Sequence, residues 1–330
     1  MGKWAVVPAA LMFAAVTHAQ APVPQLPDAQ DPHRRVYRSS ASMVALNVTV
    51  TDGRKLVTGL GAADFEIYED GVPQAVRFFE ASKVPMDVIL LLDTSSSMRD
   101  RMPVVHDAAK GFMKVLREGD RGAVVSFNEN VRVIQDLTTD PAAIEAAINS
   151  TTAKGSTALH NAIYVTLKQF GNPARRPGDV RRQTIAVLSD GEDTSSLIGF
   201  DDVVELARTL GVNVYTIGLQ PGTRSNAAAE ERTHFSNAAY ALKALAKETG
   251  AASFFPGNEH DLKNVYSEIA KELEAQYSIA YSPTNTRLDG RFRKILVRVP
   301  ANPSFRPRAR AGYTADTSSA AVGMRPLPLR

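Results

Sequence analysis

Asp93, Ser95 and Ser97 stand two residues apart in Asp93-Thr94-Ser95-Ser96-Ser97. At that spacing alternate side chains of an extended loop point the same way, so one carboxylate and two hydroxyls converge. All three offer hard oxygens, the ligand type for Mg²⁺, Mn²⁺ or Ca²⁺. Two further stretches carry the same chemistry. Gly155-Ser156-Thr157 opens a helical pattern, and Ser189-Asp190-Gly191-Glu192-Asp193 ends an apolar run.

Positioning these groups falls to the segments that precede them. Asp87 to Leu92 is an unbroken apolar run after its first residue, the pattern of a strand buried on both faces. Thr184 to Asp190 is a second such run ending in a carboxylate. Val105, Ala108, Ala109, Phe112 and Leu116 recur at helical spacing, as do Leu262, Val265, Tyr266, Ile269 and Leu273. Gly122–Phe127 and Val212–Leu219 read as strands, Val131–Gln135 as an edge strand, and Pro141–Ile148, Ala158–Phe170 and Ala239–Thr249 as helices. Pro221–Asn237 reads as a surface loop. Strands alternating with helices predict an α/β fold, a doubly wound, mostly parallel sheet over residues 83–274. Ligands of such sheets bind outside the carboxyl ends of the strands, where Asp93 and Asp190 fall.

Short strands flank this region. Val44, Leu46, Val48 and Val50 alternate with small or polar residues; Phe65–Tyr68, Val76–Phe79, Tyr277–Tyr281, Phe292–Val299 and Ala309–Tyr313 follow suit. The strands at either end are too few to be stable alone. They are expected to pair as one β-sandwich-like domain, residues 40–82 with 275–314, into which the α/β domain is inserted; two unrelated appendages are the alternative.

Composition narrows the function. A net charge of +3 in 330 residues is too small to argue for nucleic acid. The absence of cysteine removes disulfides, thiolate zinc sites and a cysteine nucleophile together. Lys3 precedes an apolar stretch from Trp4 to Val16, closed by Thr17-His18-Ala19, which reads as a signal peptide over residues 1–19. Residues 20–39 read as a disordered linker and 315–330 as a disordered tail. No later segment reaches transmembrane length, so an exported chain, periplasmic or extracellular, is expected.

Asp93, Ser95, Ser97, Thr157 and Asp190, in that order and in those strand contexts, resemble the metal-ion-dependent adhesion site of a von Willebrand factor A domain. Val57-Thr58-Gly59-Leu60 and Asp64 to Gly71 add a weaker likeness to secreted bacterial, notably acidobacterial, proteins carrying such domains. The resemblance implies that Ser95, Ser97 and Thr157 ligate Mg²⁺ (or Mn²⁺ or Ca²⁺) directly, and that Asp93 and Asp190 act through water. It implies a non-enzymatic module that captures an Asp or Glu of a partner protein. A structural subunit whose site is capped internally, by Asp64 or Glu69, is the second reading. A metal-assisted hydrolase would need a base such as Glu192 and is weakened by the absence of G-x-S-x-G. Glu192 and Asp193 are possible second-shell residues, with solvated loop carboxylates as the alternative. His160 and His106 read as packing or surface residues, and Arg175, Arg176, Arg181 and Arg182 as a solvated basic loop.

Overall fold

Met86–Asp93 is a strand whose residues are all buried, and the molecule is layered about it. The computed structural model describes residues 43–81, 84–170, 181–190, 193–219 and 229–315, with the side chains of 229–236 excepted. The expected signal peptide and linker, Glu192, Arg175 and Arg176, and the tail beyond residue 315 lie outside the described residues.

The chain opens with β1 (Val44–Asp52), β2 (Lys55–Leu56), β3 (Glu66–Glu69), β4 (Val72–Gln74) and β5 (Val76–Ala81). The α/β stretch comprises β6 (Met86–Asp93), α1 (Met102–Met113), β7 (Arg121–Phe127), β8 (Val131–Thr138), α2 (Pro141–Ser150), α3 (Leu159–Phe170), β9 (Arg182–Ser189), α4 (Phe200–Leu210), β10 (Asn213–Gly218), α5 (Ala229–Thr249), β11 (Ser253–Phe254) and α6 (Leu262–Ala275). It closes with β12 (Tyr277–Tyr281), β13 (Phe292–Arg298), β14 (Phe305–Arg308) and β15 (Gly312–Thr314).

The central sheet runs β11-β10-β9-β6-β7-β8 and is parallel except for the edge strand β8. Alternation along β6 feeds two cores. Val88, Leu90 and Leu92 pack with residues of α1, α2 and α6, while Ile89 and Leu91 pack with α3, α4 and α5. A run apolar at every position is therefore needed to satisfy both faces. Strand order reverses beside β6: β7 lies on one side and β9 on the other. A crevice opens at such a switch point.

Strands from both chain ends form a β-sandwich. One sheet runs β14-β1-β12-β5, with β2 on β1, and the other β15-β13-β3-β4. Leu46, Val48, Phe65 and Ile67 share a core with Tyr277, Ile279, Ile295 and Val297. Two connections join the sandwich to the α/β domain, and both lie at the amino end of the central sheet. The first leads from β5 into β6; in the second, Gln276 alone separates α6 from β12. Arg182 fastens both, donating from Nε to the Val84 carbonyl (3.2 Å) and from Nη1 to the Leu273 carbonyl (2.7 Å). Arg181 and Arg121 both pair with the buried Asp87 at 2.7 Å. The basic-loop reading thus fails for Arg181 and Arg182. Their stems sit at the start of β9, and backbone carbonyls and Asp87 take their charge. Glu272 of α6 ties the domains further, accepting hydrogen bonds from Thr49, Tyr215 and Arg308.

Three segments depart from expectation. Helix α5 begins at Ala229, inside the stretch read as loop; Ala229-Glu230-Glu231-Arg232 has good helix propensity despite its polarity. The strand expected over 309–313 is confined to Gly312–Thr314, with a separate strand at Phe305–Arg308 before it, because the chain leaves the β1 sheet after Arg308 and joins β13 in the other sheet at Gly312. Ala315, assigned to the tail, is buried and exchanges backbone hydrogen bonds with Gly290 and Arg291.

Candidate metal centre

Asp93 ends β6 fully buried. Its Oδ1 accepts from the Ser95 amide (2.8 Å) and its Oδ2 from the Ser189 hydroxyl (2.6 Å), so it bridges the carboxyl ends of β6 and β9. Ser95 Oγ and Ser97 Oγ lie 3.0 Å apart, the convergence that two-residue spacing predicts. Thr94 turns the other way and bonds the Phe127 carbonyl from both its amide and its hydroxyl.

The Thr157 loop is laced to this one through backbone groups. The Ser96 amide donates to the Gly155 carbonyl (3.0 Å) and the Lys154 amide to the Thr94 carbonyl (2.7 Å). Gly155 has φ of +81°, a left-handed conformation that strains any residue with a Cβ, and such a Cβ would also displace the Glu129 carboxylate. Glu129 also accepts from the Ser156 amide (3.0 Å). Thr157 itself is buried; its carbonyl accepts from the Thr194 and Ser195 amides, and its amide donates to Thr194 Oγ1.

Asp190 follows β9 directly. Its Oδ1 is buried and has no hydrogen-bond partner among the described residues. Burial, reinforced by the Asp190 charge, pushes the Asp93 carboxyl up to about 6. Two carboxylates in one crevice, one with an orphaned oxygen, beside two converging hydroxyls, form a donor set suited to a hard divalent cation. Asp93, Ser95, Ser97, Thr157 and Asp190 would hold it.

Asp193 does not join this set. Its Oδ2 pairs with His160 Nδ1 at 2.8 Å, and its Oδ1 accepts from the Ser196 amide. Burial raises this carboxyl, but the His160 and Ser196 bonds outweigh it and hold it below the usual range. It braces its loop, and the solvated-carboxylate alternative does not hold for it. His160 is correspondingly that brace's partner, its ring tilted against Phe200, while His106 bonds Thr151 (2.7 Å). The proposed internal caps point elsewhere. Asp64 accepts from the Gly61 amide, and Glu69 is buried in the sandwich against the Tyr281 and Tyr313 hydroxyls. Ser189 was missed from sequence; its only signal is a hydroxyl directly before Asp190. Asn161 and Thr194, which brace the loops, carry no local signal.

A proton on Asp93 competes with a cation. Apparent Mg²⁺ affinity is therefore expected to be flat above pH 7 and to fall about tenfold between pH 7 and 5, as Asp93 protonates around 6. Titration calorimetry across that range would check it; an affinity constant down to pH 5 would separate Asp93 from the cation.

Comparison with known proteins gives the family of the domain that carries these residues. The von Willebrand factor type A domain model matches residues 87–268, more than half of the chain. An uncharacterized protein of Borreliella burgdorferi is 27% identical over 144 residues, covering 40% of this chain and 40% of its own length. One from Synechocystis is 30% identical over 115 residues, covering 34% of this chain and 26% of its own. The chain thus spans less than half the length of these relatives. Among solved structures, a von Willebrand factor type A protein from Catenulispora acidiphila covers 85% of this chain and 65% of its own at 14% identity, with a TM-score of 0.49. With its doubly wound sheet and the match across that whole sheet, the chain belongs to the von Willebrand factor type A domain family.

Proposed function

We propose that this protein is an exported, non-enzymatic binding module that captures an acidic side chain of a partner protein through a divalent cation held by Asp93, Ser95, Ser97, Thr157 and Asp190. The observation that carries the reading is Asp190 Oδ1, buried at the sheet's switch point without a hydrogen-bond partner among the described residues and in the field of the buried Asp93. Family membership supports it, because such domains commonly serve adhesion and protein interaction. Ser95, Ser97 and Thr157 contribute oxygens without charge, so a bound Mg²⁺ or Mn²⁺ would keep its attraction for an outside carboxylate. Asp93 is oriented for this by the Ser95 amide and Ser189 hydroxyl, and the Thr157 loop is held by Ser96 and Thr194. Export is supported by the basic residue, apolar stretch and small-residue ending of residues 3–19. No helix among the described residues is long and apolar enough to cross a membrane.

The test is calorimetric titration of Mg²⁺ and Mn²⁺ into the full chain and into Thr157→Ala, with and without a glutamate-containing peptide. One cation site, tightened by the peptide and weakened at least about tenfold in Thr157→Ala, is the expected result. Equal cation binding by both chains, or none by either with peptide present, would sink the proposal.

A further inference from the structure

Leu197 is 95% exposed, the highest exposure of any large apolar side chain among the described residues. Isolated exposed leucines are common and mean little. This one differs in how its backbone is held. Every amide from Thr194 to Ile198 has a partner: Thr194 and Ser195 donate to the Thr157 carbonyl, Ser196 to Asp193 Oδ1, and Leu197 and Ile198 to Asn161 Oδ1 at 3.1 and 3.0 Å. Asn161 returns the bond, its amide donating to Ser196 Oγ (3.0 Å). Ile198 turns inward and packs on the core under α3 and α4. Asp193, at the head of the segment, is locked to His160. The loop is therefore rigid where it could have folded Leu197 down, and it holds that side chain out in water.

Its place gives the feature a meaning. The loop follows Asp190, is bonded to the carbonyl of Thr157, and brings Ser195 Oγ within 3.3 Å of Ser156 Oγ. Leu197 is thus presented by the same framework that carries two of the five oxygen donors. We infer that Leu197 is a preorganised apolar anchor beside the cation site, and that the partner is a protein segment whose Asp or Glu is flanked by large apolar side chains. The inference rests on the proposed cation-mediated function and specifies the ligand of that site. A fixed, fully exposed apolar side chain gains its whole burial on docking and loses no loop entropy, which is how anchor residues dominate interfaces.

The experiment compares two peptides of equal length, one with a glutamate between leucines and one with the glutamate between glycines. Each is titrated in Mg²⁺ into the full chain, Leu197→Ser and Asn161→Ala. The wild type is expected to prefer the leucine-flanked peptide on the order of tenfold. Leu197→Ser should lose that preference with Mg²⁺ affinity unchanged, and Asn161→Ala should reduce it by freeing the loop. Equal preference in wild type and Leu197→Ser would overturn the inference. So would a chain that self-associates by light scattering through Leu197 with no peptide preference, since the leucine would then face a second copy. Peptide binding that ignores chelator would count against the cation reading alone, because the leucine preference is scored separately.

Discussion

Asp93→Asn should bind Mg²⁺ on the order of a hundredfold more weakly than the wild type, and in chelator at pH 7.5 it should melt no lower, and by a few degrees higher. The two effects have one cause. Burial and the Asp190 charge push the Asp93 carboxyl up to about 6, roughly two units above the unfolded value, so holding it ionised in the metal-free fold costs about 3 kcal/mol at neutral pH. Asparagine removes that charge. It keeps an oxygen for either the Ser95 amide or the Ser189 hydroxyl but not an acceptor for both, which returns about 1 kcal/mol of the gain. Because the folded chain binds the proton more tightly than the unfolded chain, wild-type stability attributable to Asp93 rises as pH falls from about 6 toward 4. The advantage of Asp93→Asn should shrink over the same interval. Calorimetric melting of both chains in chelator at pH 7.5 and 4.5 reads this; a variant several degrees less stable at pH 7.5 would show that Asp93 is a structural acceptor first.

Glu272→Ala should destabilise the whole chain by about 3–5 kcal/mol, lowering the melting temperature by roughly 10 °C. Glu272 is largely buried on α6 and accepts from Arg308 of β14, Thr49 of β1 and Tyr215 of β10. Its removal leaves a partly buried guanidinium and a fully buried phenol without their acceptor. The loss falls where the sandwich meets the α/β domain, so the melt should also broaden or split as the two domains cease to unfold together. An unchanged single transition would mean that Gln276, which already donates to Tyr215, takes over the cluster. Cation affinity should be unaffected in either case.

The central strand and the convergence of Ser95 with Ser97 were legible because both signals are local. An all-apolar run betrays burial on two faces, and two-residue spacing carries Ser95 and Ser97 to one side whatever surrounds them. Thr157 and Asp190 were singled out by the family resemblance, to which their strand and helix contexts contributed. What escaped depends on contacts between distant residues. Asp193 looks like any loop carboxylate until His160 arrives from the first turn of α3. Arg182 sits in a basic stretch that reads as solvated, yet it ends on two carbonyls at the domain connections. The break between the last two strands reflects a change of sheet, and nothing in Phe305 to Thr314 marks where one sheet must be left for the other.

The placement of the two domain connections has a mechanical consequence. The oxygen donors cluster at the carboxyl end of β6, while the sandwich is joined at the amino end. Tension between a captured partner and an anchored sandwich would therefore run lengthwise along β6. That strand is paired in parallel with β7 from Asp87 to Asp93 and with β9 from Met86 to Leu92. A lengthwise pull loads those hydrogen bonds in shear, so the rungs on both sides share the force instead of opening one at a time from an end. Arg182, bonded to both connections, would spread the load between β6 and α6. On the proposed function the chain would act as a tie-rod, gripping at one end and held at the other.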